Sequence, residues 1–456
     1  MFEDLAGDTG AFAGTPPVPP APEPALLVTT ETLQCWITAL TRLDRSVDDA
    51  GRVAQLELLE RLKSAAAAAQ AEVTVDFVAS QRAEQVAAGV PAARVGVGIG
   101  AQVGLARRDS PFRGGRHVGL AQALASELPQ TLAALRAGDT SEWRATVVAR
   151  ETACLDPADR RAADAELGPA LAGLGDREVE AAARAIAYRL DPQAFVDRSK
   201  GATKDRTVTL RPAPDTMSRF CGFLPVAQGV ATYTALSTEA DRARAEGDQR
   251  SRGQIMADTL VERVTGQATA GTVPVEVQLV MSEETLFGGG DVPGDLAGAG
   301  PIPAGVARNL VTDPDAKVWL RRVYARPADG SLVAMDSQRR SFPKGLRRAL
   351  QVRDRTCRTP WCAAPIRHAD HVVPVAEGGK TSAANGQGLC EACNYTKQAP
   401  GWAARPGPAG AGHDVEITTP TGHTYTSHPP PHPGARAPSD DRSLIEEHFR
   451  RLIHAA

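Results

Sequence analysis

Four of the seven cysteines in this 456-residue chain decide how one end of it is built. Cys357-x4-Cys362 and Cys390-x2-Cys393 form two close pairs, whereas Cys35, Cys154 and Cys221 stand alone. Two knuckles of two thiolates satisfy the tetrahedral preference of Zn2+ and close its coordination sphere, as structural zinc sites do. In so short a segment the metal supplies stability that a small apolar core does not. The odd total and the spacing argue against a disulfide framework. The three scattered cysteines read as small buried hydrophobes.

The residues between the two pairs run AAPIRHADHVVPVAEGGKTSAANGQGL. Val372, Val373 and Val375 fit a short strand beginning at Asp370-His371, and Glu377-Gly378-Gly379-Lys380 reads as a turn. Asn394-Tyr395-Thr396-Lys397 opens a helix after Cys393. Strand, turn, returning segment and helix, held by zinc, describe a ββα-metal finger. An unperturbed histidine, with a pKa of about 6.5, suits His371 to take a proton from water near neutral pH. Asp370 offers a hard oxygen ligand for Mg2+ or a similar ion. Neighbours on a strand point to opposite faces, so one of the two can hold a cation while the other activates water. Twelve Lys/Arg against five Asp/Glu between Asp336 and Arg405 give this stretch +7, leaving −10 for the rest of a chain whose total is −3. Such a basic segment suits phosphates, although a merely solvated face has the same composition.

The string DHVVP…GG…N…LC-x-x-C-N-x-x-K resembles the HNH endonuclease family in its zinc-bound four-cysteine form. The segments ARRDSPFRGGRHVGLAQAL and SEWRATVVARETACL resemble the domain of unknown function 222 that precedes HNH modules in actinobacterial proteins of the 13E12-repeat family. The first resemblance implies a metal-dependent endonuclease that hydrolyses phosphodiester bonds in DNA and leaves 5′-phosphate ends. By it, His371 is the general base, Asn385 the middle asparagine that holds the finger and orients the base, and Asp370 a metal ligand. Asn394 falls where the family's last histidine usually stands, making this an H-N-N rather than an H-N-H chain. An amide oxygen is a harder ligand than imidazole and favours Mg2+ or Mn2+ at the catalytic position. Cys357, Cys362, Cys390 and Cys393 hold the structural Zn2+. Lys397 and the arginines at 339, 340, 347, 348, 353, 355 and 358 are expected on phosphates, each with a solubilising role as the alternative. His368 is expected either near the phosphate or in a structural hydrogen bond. Trp361 and Trp402 are expected to seal a small core.

The rest of the chain sets these residues in an α+β protein: a mainly helical N-terminal domain with a small α/β subdomain, then the finger. Residues 1–27, with six prolines among Ala and Gly, read as a disordered leader. Residues 28–335 form the region resembling domain 222, helical to about residue 204 and mixed after. Apolar spacing of three and four marks helices over 29–85, and Ser141, Asp156-Pro157 and Gly175-Asp176 open further ones. RTVTLRP, VPVEVQLVM and VWLRRVYARP read as strands, with helices near 225–246 and 250–267. Gly96-Val97-Gly98-Ile99-Gly100 has the wrong spacing for a phosphate loop and reads as a flexible start to a helix. The HNH domain is placed at 340–405. A Pro/Gly-rich tail at 406–456 carries a hairpin, VEITTPTGHTYTS, a closing helix, and His413, His423, His428 and His432, read as solvated.

No apolar run reaches the ~18–20 residues of a membrane span, and the acidic N-terminus lacks a signal peptide's features. A cytoplasmic protein with nucleic acid, DNA above all, as partner and no membrane attachment is expected, with a homodimer through the N-terminal helices open to it. The alternative to an enzyme is a non-catalytic zinc-stapled nucleic-acid-binding protein. A third reading places the function in the long N-terminal region, where the sequence shows no acid/base constellation.

Overall fold

The computed structural model describes residues 27–269, 279–287, 289–296, 300–312, 341–407 and 413–431. Residues 1–26 of the leader, most of the strand run VPVEVQLVM, all of VWLRRVYARP, Arg339, Arg340, His432 and the closing helix lie outside them. By its internal contacts the chain divides into two units, Met1–Glu60 and Arg61–Ala456. In the first, α1 (Thr30–Leu40) is capped by Thr29 and buries no residue; Leu33, Trp36, Ile37 and Leu40 are all exposed.

The second unit takes up α2 (Asp49–Ala87) from Arg61 onward. It continues through α3 (Ile99–Ala106), α4 (Pro111–Ser126), α5 (Pro129–Ala137), α6 (Glu142–Glu151), α7 (Pro157–Leu167), α8 (Asp176–Leu190) and α9 (Pro192–Ala202). Several of them open on a residue suited to that job. Ser110, Ser141 and Asp156 accept hydrogen bonds from first-turn amides, and Pro follows Ser110 and Asp156 at N1, where its missing N–H costs nothing. The alanine face of α2 (Ala67, Ala68, Ala71) lets Leu124, Leu128, Leu135, Val148, Leu171 and Val179 close into one core. α3 and α4 come together on glycine: a Cβ at Gly114 would stand 1.9 Å from the Gly100 carbonyl oxygen.

Beyond α9 the α/β part consists of an exposed antiparallel hairpin, β1 (Thr207–Pro212) with β2 (Ser218–Phe223), then α10 (Val226–Ala245) and α11 (Arg252–Thr265). A small sheet joins β3 (Leu279–Val280), β4 (Gly294–Leu296) and β5 (Gly300–Ile302), with α12 (Glu283–Phe287) and α13 (Ala304–Thr312) beside it. The expected α+β architecture, mainly helical before a C-terminal finger, is what the chain adopts.

The finger is built from α14 (Lys344–Asp354), β6 (His368–His371), β7 (Gly386–Leu389) and α15 (Glu391–Lys397). β6 and β7 are antiparallel, with Asp370 opposite Gln387 and His371 opposite Gly386. The strand therefore ends at His371, whereas the valine run suggested that it begins at Asp370-His371. Beyond it, β8 (Ala403–Pro406), β9 (Val415–Thr418) and β10 (Thr424–Ser427) form a three-stranded sheet in the order β10-β9-β8.

This sheet corrects the reading of a tail. The hairpin is there, but Val415 and Ile417 pack with Val372 of the finger and with Trp402, because the alternating apolar face of β9 has to be covered. His413 is no solvated residue: its Nε2 lies 2.7 Å from the Ala384 carbonyl oxygen. Burial, with the charge of Arg353, pushes its pKa down to about 4. His428 pairs with Asp414 at 2.8 Å.

Candidate functional site

Four sulfurs converge where the two knuckles meet. Cys357, Cys362, Cys390 and Cys393 are buried, and their Sγ atoms all lie within 4.8 Å of one another. Cys362 stands 3.8 Å from Cys390 and 3.7 Å from Cys393. Four sulfurs tetrahedral about zinc, each at about 2.3 Å, would stand about 3.8 Å apart. Hydrogen bonds from Cys362 draw Cys357 down to about 7, and bonds from Cys357 draw Cys390 lower still. The same neighbours push Cys362 and Cys393 up. Four thiolates this close repel, so a divalent cation is the partner that lets all of them ionise. Leu389 and Ala364 pack against the cluster.

A second group of polar side chains gathers around the end of β6. His371 Nε2 shares a 2.8 Å hydrogen bond with Thr381 Oγ1, and its ring lies 4.5 Å from that of Phe342. The Asp370 carboxylate receives Lys397 Nζ at 2.7 Å and Gln387 Nε2 at 3.4 Å. Lys397 also donates to the His371 carbonyl oxygen. Asn394 Oδ1 is buried with no hydrogen-bond partner, an arrangement that costs about 1–3 kcal/mol unless something fills the vacant lone pairs. The Lys397 ammonium neutralises Asp370, and the orphaned Asn394 oxygen lies on α15, the same helix that carries Lys397. Asn385 spends its side chain on the backbone: Val373 N–H donates to Oδ1 at 2.8 Å, and Nδ2 donates to the carbonyls of Val373 and Lys380 at 3.0 and 2.9 Å. It ties the loop after β6 to β7.

Several residues expected on phosphates are committed elsewhere. Arg353 and Arg358 are 5% and 2% exposed and clamp the buried Asp354 at 2.7 and 3.0 Å. Burial works against the Asp354 charge, but Arg353 and Arg358 outweigh it and hold the carboxyl below its ordinary range. The Gly388 amide donates to Asp354 Oδ2 at 2.7 Å, while Arg353 donates to the Ala383 and Gly386 carbonyls. Arg358 reaches Ser427 and the His413 carbonyl. Arg355 pairs with Asp295 at 2.9 Å and donates to the Pro431 carbonyl. Runs of arginine beside a basic finger read alike in sequence whether they face solvent or a buried aspartate, so only burial separates them. Replacing Asp354 with Asn should leave two guanidiniums short of a counter-charge and destabilise the finger by about 3–5 kcal/mol. Thermal unfolding of the variant measures this.

Lys397 is likewise held by Asp370 rather than exposed for phosphate. His368 faces the Tyr395 ring at 6.5 Å. Lys344, Arg347, Arg367 and Lys380 are the exposed cations of the finger. Of these only Arg347 was singled out in the sequence, and Thr381, Gln387 and Phe342 also went unnoticed. Trp361 is 47% exposed and edge-on to Tyr425, so it does not seal a core, whereas Trp402 does.

Two family models match. Residues 51–354 match the domain of unknown function (DUF222), and residues 357–399 match the HNH endonuclease model. The first covers two-thirds of the chain. The chain belongs to the DUF222 family. No curated protein and no solved structure matches it. The join between the two matches falls later than the expected 335/340 boundary. Packing cuts across it as well, for α14 lies within the DUF222 match while its Leu350 meets Gly386 of β7.

The DUF222 helices are also built onto the finger. Gly98 caps α3 at φ +87°, and a Cβ there would stand 2.6 Å from Trp402 Nε1. The glycine stretch thus opens a helix as expected, but as a tight contact rather than a flexible one. Thr421 Oγ1 donates to Gln102 Oε1 at 3.1 Å, and Arg94 reaches the Gln398 carbonyl. Ala101, Leu105 and Pro111 line one small cavity with Gln387, Lys397 and Trp402. Gln387 and Lys397 are the two residues that hold Asp370. Among the described residues no helix is long and apolar enough to cross a membrane.

Proposed function

We propose that this DUF222 protein is a metal-dependent endonuclease that hydrolyses phosphodiester bonds in DNA. The reading rests on one juxtaposition: His371 held by Thr381 at the end of β6, beside Asp370, with the buried and unsatisfied Asn394 oxygen on α15. The HNH match over the same residues supports it. In the tautomer whose Nε2–H donates to Thr381, the basic lone pair of His371 lies on Nδ1. That nitrogen takes a proton from water as the water oxygen bonds to phosphorus. The P–O3′ bond then breaks, and the departing oxygen takes a proton from solvent water, leaving a 3′-hydroxyl and a 5′-phosphate. Asp370 and Asn394 would hold Mg2+ or Mn2+, which supplies Lewis-acid stabilisation of the charge developing on the phosphate oxygens. Lys397, once exchanged from Asp370, has a phosphate as its next anionic partner. Asn385 acts as a positioning residue, and the four cysteines hold a structural Zn2+.

The second reading, a non-catalytic nucleic-acid-binding finger, draws support from the Lys397–Asp370 pair, which neutralises the carboxylate without a metal. Plasmid nicking across Mg2+, Mn2+, Ni2+ and Zn2+ with end mapping separates the two. The enzyme reading expects nicking with Mg2+ or Mn2+ and 5′-phosphate ends. Retention of plasmid with no nicking under any metal would favour the binding module.

A further inference from the structure

We propose that the DUF222 region carries its own contact surface for the DNA phosphate backbone, centred on Arg108 and Arg116 at the α3–α4 turn. Arg107 and Arg113 of the same turn are held by Glu142 at 2.8 Å and Asp109 at 3.3 Å, and His117 also meets Asp109 at 3.1 Å. Those acids orient part of the cluster and leave Arg108 and Arg116 outward. Phe112 and Trp143, on the first turns of α4 and α6, are 72% and 55% exposed. The Arg116 guanidinium lies over the Phe112 ring at 5.5 Å. Exposed arginines are the side chains that reach backbone phosphates, and the Phe112 ring holds one of the two guanidiniums in place.

Arg108 supplies the independent observation. It ends α3 at φ +55°, with its amide bonded to the Leu105 carbonyl and the Asp109 amide to the Gly104 carbonyl at 2.7 Å. This is the left-handed helix stop that glycine fills best, and a residue with a Cβ costs about 1 kcal/mol or more there. No side-chain hydrogen bond or ion pair of Arg108 occurs among the described residues, so beyond a favourable charge at the C-terminal end of α3 the fold draws nothing from its side chain. Strain of this kind, kept at an exposed cation, points to a use for the side chain.

The surface also lies beside the finger. Pro111, between Arg108 and Phe112, shares a cavity with Lys397, whose ammonium sits 2.7 Å from Asp370. A strand placed for cleavage at His371 would thus run on toward α4, and the DUF222 region would lengthen the grip of a finger that has few exposed cations of its own. This inference rests on the nuclease reading for its choice of DNA.

The test is fluorescence anisotropy with a labelled DNA duplex of about 20 base pairs, over about 50–300 mM salt, using the full-length His371→Ala chain as parent. Arg108→Gly should melt at or above the parent temperature, because glycine relieves the turn, and should bind DNA more weakly. Arg108→Gly with Arg116→Gln should flatten the slope of log K against log salt by about 1.8, or about 0.9 per lost phosphate contact. An unchanged affinity and slope in the doubly substituted protein overturns the proposal. Nicking by the chain with His371 intact is read separately. If nicking is real while the slope stays unchanged, this surface fails and the nuclease stands. If nicking never exceeds the His371→Ala background while the slope still falls, the surface stands and the nuclease reading fails.

Discussion

Replacing His371 with Ala should reduce Mg2+- or Mn2+-dependent nicking by about 10²–10⁴-fold, the usual share of a positioned acid or base, while zinc content and DNA retention stay at the wild-type level. The separation is expected because of where the side chain sits. His371 is the last residue of β6, half-buried, and its ring meets Thr381 and the Phe342 ring, neither part of the cysteine cluster. The backbone around it is pinned independently of its ring. Lys397 donates to its carbonyl, Asn385 holds Val373, and the Asn385 carbonyl accepts from Val372 at 2.7 Å. Truncation to Ala therefore removes the imidazole without releasing the loop. Equal nicking by wild type and variant at matched metal concentration would remove His371 from the reaction.

The second large effect is on stability. Stripping zinc, or Cys390→Ser, should unfold the finger. Structural zinc in small fingers binds with about 10–16 kcal/mol of apparent free energy, most of which is folding free energy. Around the sulfurs themselves the apolar contribution is too small to compensate: Leu389 and Ala364 are the side chains packed on the cluster. Cys390 is the most sensitive position, since it is both one of the four clustered sulfurs and the N-cap of α15, accepting from the Cys393 amide. The α2–α8 core lies on other residues and should survive. Circular dichroism should show most helix retained while near-ultraviolet signals from Trp361 and Trp402 change. An unaltered finger after complete chelation would exclude a structural metal.

How much of this could be read from the chain alone depended on whether the signal was local. Thiol spacing, proline after a capping serine or aspartate, and alternating apolar residues each act within a few bonds of themselves. Hence the cysteine cluster, the openings of α6 and α7 and the 415–427 hairpin were visible in the sequence. The arginines were not legible in this way. Arg353 and Arg358 look no different from Arg347 along the chain, and only the enclosed Asp354 gives the first two their role. The boundary between helical region and finger was blurred for a similar reason, because α14 belongs by sequence to one and by packing to the other.

By itself the sequence determined the chemistry available: four thiolates, a His-Asp pair, and an asparagine just after the last of the thiolates. Ligand type and spacing are covalent facts that folding does not alter. The tertiary structure alone decided which charges remain usable. It sent two arginines inward to Asp354, set Lys397 on Asp370, left the Asn394 oxygen without a partner, and brought the α3–α4 turn against the finger. Those outcomes depend on which groups are taken out of water together, and that is settled by contacts between residues as far apart as Gly98 and Trp402.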